Sequence, residues 1–264
     1  MSISTFFTAV LCVALLKMPA SQGDKAKPGN APDAKAASVC VQTNGYTITF
    51  DWEKAKDMEN WTKERLAPAV CKWAPKIADL LASDGWTPPK AMTFKFVKTT
   101  RDYPAWASGT SVSLNVDWYR NELKGEALGA AIHELVHVMQ DYWGHPCRGK
   151  GTCPSWCVEG IADYIRWFLF EPESDGCGYL RHCDLKKVHY NDAYRTTASF
   201  FDFVERTYPG TVKKLNAELR KREFRNEEFW KKTTGKTAEE LEADWKAEIN
   251  KAKAAEKAAK KTAK

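Results

Sequence analysis

Histidine and methionine are scarce in this chain, five of each in 264 residues, and no methionine follows Met139. The missing late methionine excludes a metal site backed by a downstream Met-turn. Past the N-terminal leader, no apolar run reaches the roughly 20 residues that a membrane-crossing helix needs. After removal of that leader, stable membrane insertion is not expected. No internal repeat recurs. Positive charge is absent where a nucleic-acid enzyme would carry it. The formal net charge is +6, but residues 24–38 hold three Lys against two Asp, and residues 251–264 six Lys against one Glu. The remaining domain is close to neutral. Nucleic-acid enzymes carry basic residues on the fold itself, so nucleic acid is not an expected partner.

The few histidines that exist are placed with purpose. Ala130-Ala131-Ile132-His133-Glu134-Leu135-Val136-His137 contains His-Glu-x-x-His inside an apolar stretch. On a helix, His133 and His137 stand one turn apart and point the same way. Two such imidazoles can grip one Zn²⁺, and Glu134 is beside them to take a proton from water that the metal activates. Polar groups in so apolar a helix are costly unless they bind something.

Zinc needs a third protein ligand and an open position. Trp156-Cys157-Val158-Glu159-Gly160-Ile161-Ala162-Asp163-Tyr164 supplies a candidate in Glu159, 22 residues after His137. Asp163 is four residues further and shares its helix face. Glu159 is expected to ligate the metal. Asp163 is expected to accept the Nδ1 proton of a ligand histidine and fix its tautomer. His145 is an alternative ligand, on a cysteine-rich loop before Pro146. The metzincin pattern requires Gly at 140 and His at 143, where this chain has Gln140 and Trp143.

These motifs, with Ala193-Tyr194-Arg195-Thr196-Thr197-Ala198-Ser199-Phe200-Phe201, resemble the basic secretory protein family over about Tyr46–Trp245. The resemblance implies a secreted zinc peptidase of the gluzincin type. It also implies a role for Tyr194, which occupies the tyrosine of the third stretch, as a donor to the developing negative charge on the scissile oxygen. His189 and Tyr190 are the reserves for that role. A cysteine-rich insert between the two metal motifs and the lysine-rich tail depart from the family pattern.

Read in order, residues 1–23 look like a secretory signal. Phe6–Leu16 is an apolar run of h-region length, and Ser21 and Gly23 are the small residues a signal peptidase favours. Residues 24–38 read as a flexible linker. Residues 39–250 read as one domain, and 251–264 as a Lys/Ala-rich tail that solubilises. Strands are expected at Tyr46–Phe50, Ala91–Val97 and Ser111–Val116. Gly109 is a candidate turn residue before the last of these, which is the candidate substrate-pairing edge. Tyr103, Trp106, Trp118 and Tyr119 line a cleft or fill the core. Residues 57–83 look helical with breaks or kinks at Pro68 and Pro75. The C-terminal third reads as helices punctuated by Pro209-Gly210 and Gly235, with Thr237 and Glu240 forming a capping box. The expected fold is α+β: a zincin-like single domain, with a small mixed sheet packed on the metal helix and a mostly helical C-terminal half.

Seven cysteines follow the leader, five of them between 147 and 183. In a secreted chain these point to disulfides, with Cys40–Cys71 and Cys177–Cys183 as candidate pairs. The expected activity is hydrolysis of peptides or proteins. A zinc amidase acting on cell-wall peptides, and a non-catalytic binding protein on the same scaffold, are the other readings.

Overall fold

A five-stranded mixed sheet carries the first half of the chain, in the spatial order β1-β2-β3-β5-β4. The computed structural model describes residues 37–142, 153–174 and 178–262. The leader and most of the linker therefore lie outside the described residues. So do Trp143, His145, Cys147 and Cys177.

The strands are β1 (Ser38–Thr43), β2 (Tyr46–Asp51), β3 (Ala91–Val97), β4 (Ala105–Ser108) and β5 (Ser111–Asn115). β2, β3 and β5 run parallel; β1 and β4 are antiparallel edges. The side-chain period of two puts Tyr46, Ile48 and Phe50, then Met92, Phe94 and Phe96, on one buried face. Phe50 and Phe94 are register partners and stack at 5.6 Å. Two-residue turns close both hairpins. Asn44 and Gly45, both at positive φ, join β1 to β2, and Gly109 (φ +55) opens the turn from β4 to β5.

This topology corrects one expectation. The strand at 111–115 is interior, flanked by β3 and β4, and cannot accept an added strand. Gly109 folds residues 105–108 back onto it, so the edge on that side of the sheet is β4.

Helices cover the rest. The single turn α1 (Glu59–Trp61) widens to i→i+5 bonding over Thr62–Leu66 and then continues as α2 (Ala67–Leu80). The wide turn precedes Pro68, whose missing N–H the ordinary ladder cannot use. Pro75 sits inside α2 without ending it. Asn115 closes β5 and starts α3 (Val116–Glu122). Its Nδ2 donates to the carbonyls of Arg101 and Tyr103, and its Oδ1 accepts from the Asp117 N–H. There follow α4 (Ala127–Gln140), α5 (Ser155–Asp163), which runs on through a wide turn at Tyr164–Phe170, and α6 (Tyr194–Thr207). The last are α7 (Thr211–Lys221), α8 (Asn226–Thr234) and α9 (Ala238–Thr262).

Gly235 ends α8 in the left-handed conformation. The capping box forms as expected, with the Thr237 N–H donating to Glu240 and the Glu240 N–H to Thr237 Oγ1. The Lys/Ala-rich segment is a direct continuation of α9. Lys253 donates to the Cys183 carbonyl at 2.8 Å, so the first turn of that segment is tied to the domain. No described helix is long and apolar enough to cross a membrane.

Cys40 and Cys71 do not pair; both are free thiols. The reason is strand parity. Val39 and Val41 turn toward the core, so Cys40 between them faces solvent, away from α2. Burial pushes the Cys71 thiol up to about 11. No disulfide joins two described residues; Cys183 is a free thiol, and its candidate partner Cys177 lies outside them.

α5 and α6 touch most closely at Gly160. A Cβ there would lie 2.3 Å from Thr197 Cγ2 and 3.0 Å from Phe201. Thr197 cannot yield, because its Oγ1 donates to the Tyr190 carbonyl. Gly160→Ala is expected to destabilise the protein by about 1–3 kcal/mol in urea unfolding. Adding Thr197→Ser, which removes the clashing methyl but keeps the Cβ 2.9 Å away, should recover part of that loss. Equal stability of Gly160→Ala and wild type would contradict the close contact.

Candidate metal centre

α4 is buried on nearly every face: Ala127, Ala131, Ile132, Leu135 and Val136 have no exposed surface. Its polar residues face a cleft of about 960 Å³ lined by α4, α5, β4 and the start of α6. His133, Glu134 and His137 all line it. α5 lies across α4 and brings Glu159 to the same place. His133 Nε2 and His137 Nε2 are 3.0 Å apart, and Glu159 Oε2 lies 3.2 Å from the first and 3.4 Å from the second. This is the three-residue group able to hold a metal ion among the described residues. Zinc bound at about 2.0–2.1 Å by tetrahedral ligands spaces its donor atoms about 3.3 Å apart, so the observed separations of 3.0, 3.2 and 3.4 Å are close to those such a metal requires.

Each imidazole is aimed by a partner on its other nitrogen. Asp163 Oδ1 lies 2.7 Å from His133 Nδ1. Gln140 Oε1 lies 2.7 Å from His137 Nδ1, while Gln140 Nε2 donates to the Val158 carbonyl at 2.9 Å. That donation fixes which end of the amide meets the ring. Both Nδ1 atoms then carry the proton, and both Nε2 lone pairs point to the shared centre. Sequence reasoning missed Gln140. Its signal was available, since a residue three after His137 shares its helix face.

Burial opposes charge on His133, but the Asp163 and Glu159 hydrogen bonds overcome it and hold the ring's pKa up at about 10. For His137, too, burial opposes charge, and the bond to Glu159 outweighs it to raise the pKa. Burial would raise the Glu159 carboxyl, yet the two histidines bring it far below the usual range. Without a metal, the cluster holds itself together with protons.

Tyr194 also lines the cleft, with its ring nearly parallel to that of His133 at 6.4 Å. It is 57 % exposed, and the backbone that presents it is strained. Ala193 has φ 66 and ψ −179, a region nearly reserved for glycine, and Tyr194 has φ 45. The reserves fall elsewhere. His189 pairs with Glu242 at the surface, and the Tyr190 hydroxyl is buried against Asn226; neither lines the cleft. Of the aromatic run, Tyr103 and Trp106 line the cleft, Trp118 packs against the core and Tyr119 is wholly buried in it.

The family described as a peptidase of plants and bacteria matches residues 101–245, more than half of the chain. The chain belongs to this family, the basic secretory proteins. The match spans β4, β5 and every residue of the cleft just described, and leaves β1–β3 outside. No curated protein and no solved structure matches the chain.

The proton-held cluster predicts a pH dependence for the metal-free protein. The folded-state pKa of His133 lies above its ordinary 6.5. Its contribution to stability is therefore complete below about 6.5 and is lost as pH rises through about 10. The thermal midpoint of chelator-treated protein should fall between pH 7 and 10. Zinc-saturated protein should lack this slope, because the coordinating ring carries no such proton. A flat metal-free profile would contradict the assignment.

Proposed function

We propose that this basic secretory family member is a secreted, zinc-dependent peptidase with a zincin-like active site. The observation that carries the reading is the convergence of His133 Nε2, His137 Nε2 and Glu159 Oε2 at zinc-ligand spacing on the wall of an open cleft. A closed structural site would have no need of the cleft or of Glu134 beside it.

His133, His137 and Glu159 would hold the zinc, which would supply Lewis acidity and lower the pKa of water. The chain supplies the rest. Glu134 takes the proton of the attacking water and delivers a proton to the leaving amine. Asp163 and Gln140 keep the imidazoles from turning. The Glu159 carboxylate and burial raise the Tyr194 phenol above its ordinary value. It therefore stays protonated at neutral pH and can donate to the scissile oxygen as charge builds there. Among the described residues no strand pairs with the outer edge of β4, which lies beside α4, and an extended substrate can add to the sheet there. That edge, and not residues 111–115, is the pairing strand. In this reading residues 1–23 are the export signal, residues 24–38 a tether, and residues 39–250 the catalytic domain.

Glu134→Gln preserves size and polarity but cannot take a proton. The variant should bind one zinc as wild type does, and its hydrolysis of casein or a peptide library should fall at least about 100-fold. Retained turnover would exclude Glu134 as the base.

A further inference from the structure

One turn of α4 before His133, the cleft wall changes from acidic to basic. Arg166 and Arg195 both line it there. Arg166 is only 8 % exposed, and its position follows from spacing: Glu159, Asp163 and Arg166 repeat at i, i+4 and i+7 on the face that meets α4. The contact is intimate. A Cβ on Gly129 would lie 2.5 Å from Arg166 Nε and 2.2 Å from Glu171 Oε1, so any larger residue there would displace this ion pair.

The guanidinium is partly committed. Nε donates to Glu171 at 2.8 Å and Nη2 to Glu126 at 2.8 Å. Nη1 makes no hydrogen bond to any described residue. Arg195 Nη2 also donates to Glu126, at 3.1 Å to each oxygen. Both guanidiniums stand over the Trp167 ring, at 4.0 and 4.1 Å. Glu126 and Glu171 do not line the cleft. The carboxylates thus hold the arginines from behind, and the cations face the substrate side.

We infer that Arg166 and Arg195 form a carboxylate-binding subsite about two residues from the scissile bond. The distance comes from helix and strand geometry. Gly129 lies four residues before His133, about 6 Å along α4, and an extended peptide advances about 3.3 Å per residue. A planar carboxylate matches the guanidinium fork and takes a charge-assisted bond. Either an Asp or Glu side chain or the C-terminal carboxylate of a short peptide supplies that chemistry.

This inference rests on the peptidase reading, so binding is measured apart from turnover. The probes are N-acetylated hexa-alanine peptides with one Glu or one Gln at each position in turn, each made as the free acid and as the amide. Binding to full-length Glu134→Gln in the presence of zinc is followed calorimetrically. The best carboxylate peptide should bind at least about tenfold more tightly than its neutral match. Glu position or the free acid identifies which carboxylate is read. Arg195→Gln should reduce the ratio several-fold. Arg166 is left in place, because removing the buried partner of two carboxylates endangers the fold. Glu126→Gln removes the competing negative charge behind both arginines and should raise the ratio; a purely structural ion-pair network predicts no rise. Equal binding of acidic and neutral peptides, or no binding of any, overturns the subsite. Carboxylate-selective binding with no cleavage by wild type leaves the subsite standing and removes the peptidase reading alone.

Discussion

Two imidazole nitrogens and a carboxylate oxygen held within 3.4 Å of one another in a mostly buried helix interface form the constraint on which the structure turns. Lone pairs at that spacing repel unless a proton or a cation lies between them. In the metal-free chain protons serve, which is why both histidines hold them so firmly. The same three atoms are close enough together to share one divalent cation in place of those protons. The scaffold has little freedom to relax the arrangement, because α4 is packed on every face but the cleft side, Asp163 is buried, and Gln140 is held by its own bond to the Val158 carbonyl.

Two glycines make the packing possible. Gly129 lets the Arg166–Glu171 pair lie directly on the metal helix, and Gly160 lets α6 close on α5. The second contact matters for chemistry as well as stability. It sets the start of α6, where the strained Ala193–Tyr194 backbone turns the phenol into the cleft. Strain of about 1–3 kcal/mol per residue persists only where neighbours fix it. Here Thr197 does so, with its N–H on the Ala193 carbonyl and its hydroxyl on the Tyr190 carbonyl.

The metal group was legible because helical periodicity alone places His133 beside His137 and Glu159 beside Asp163. The three predicted strands and the capped C-terminal helices were legible for similar reasons of period and punctuation. β1 escaped, though Asn44-Gly45 is a strong hairpin signal, because its only alternating apolar residues are Val39 and Val41, a pattern too short to separate from the preceding linker. β4 escaped because Ala105–Ser108 is too short to show a period, and the sheet edge was placed one strand too far inward as a result. The arginine subsite was not legible at all. Glu126, Arg166 and Arg195 are 40 and 69 residues apart along the chain, and only tertiary packing joins them. The proposed disulfide between Cys40 and Cys71 failed because compartment chemistry says that cysteines pair and never which ones face each other.

The central claim is that His133, His137 and Glu159 hold one zinc ion. Its most direct test is metal analysis of the purified full-length protein, wild type beside His137→Ala, after zinc is offered and excess removed. The account predicts about one zinc per wild-type chain and loss of it in the variant, with both proteins folded by circular dichroism. A folded wild type that retains no zinc, or a variant that retains it fully, would contradict the account.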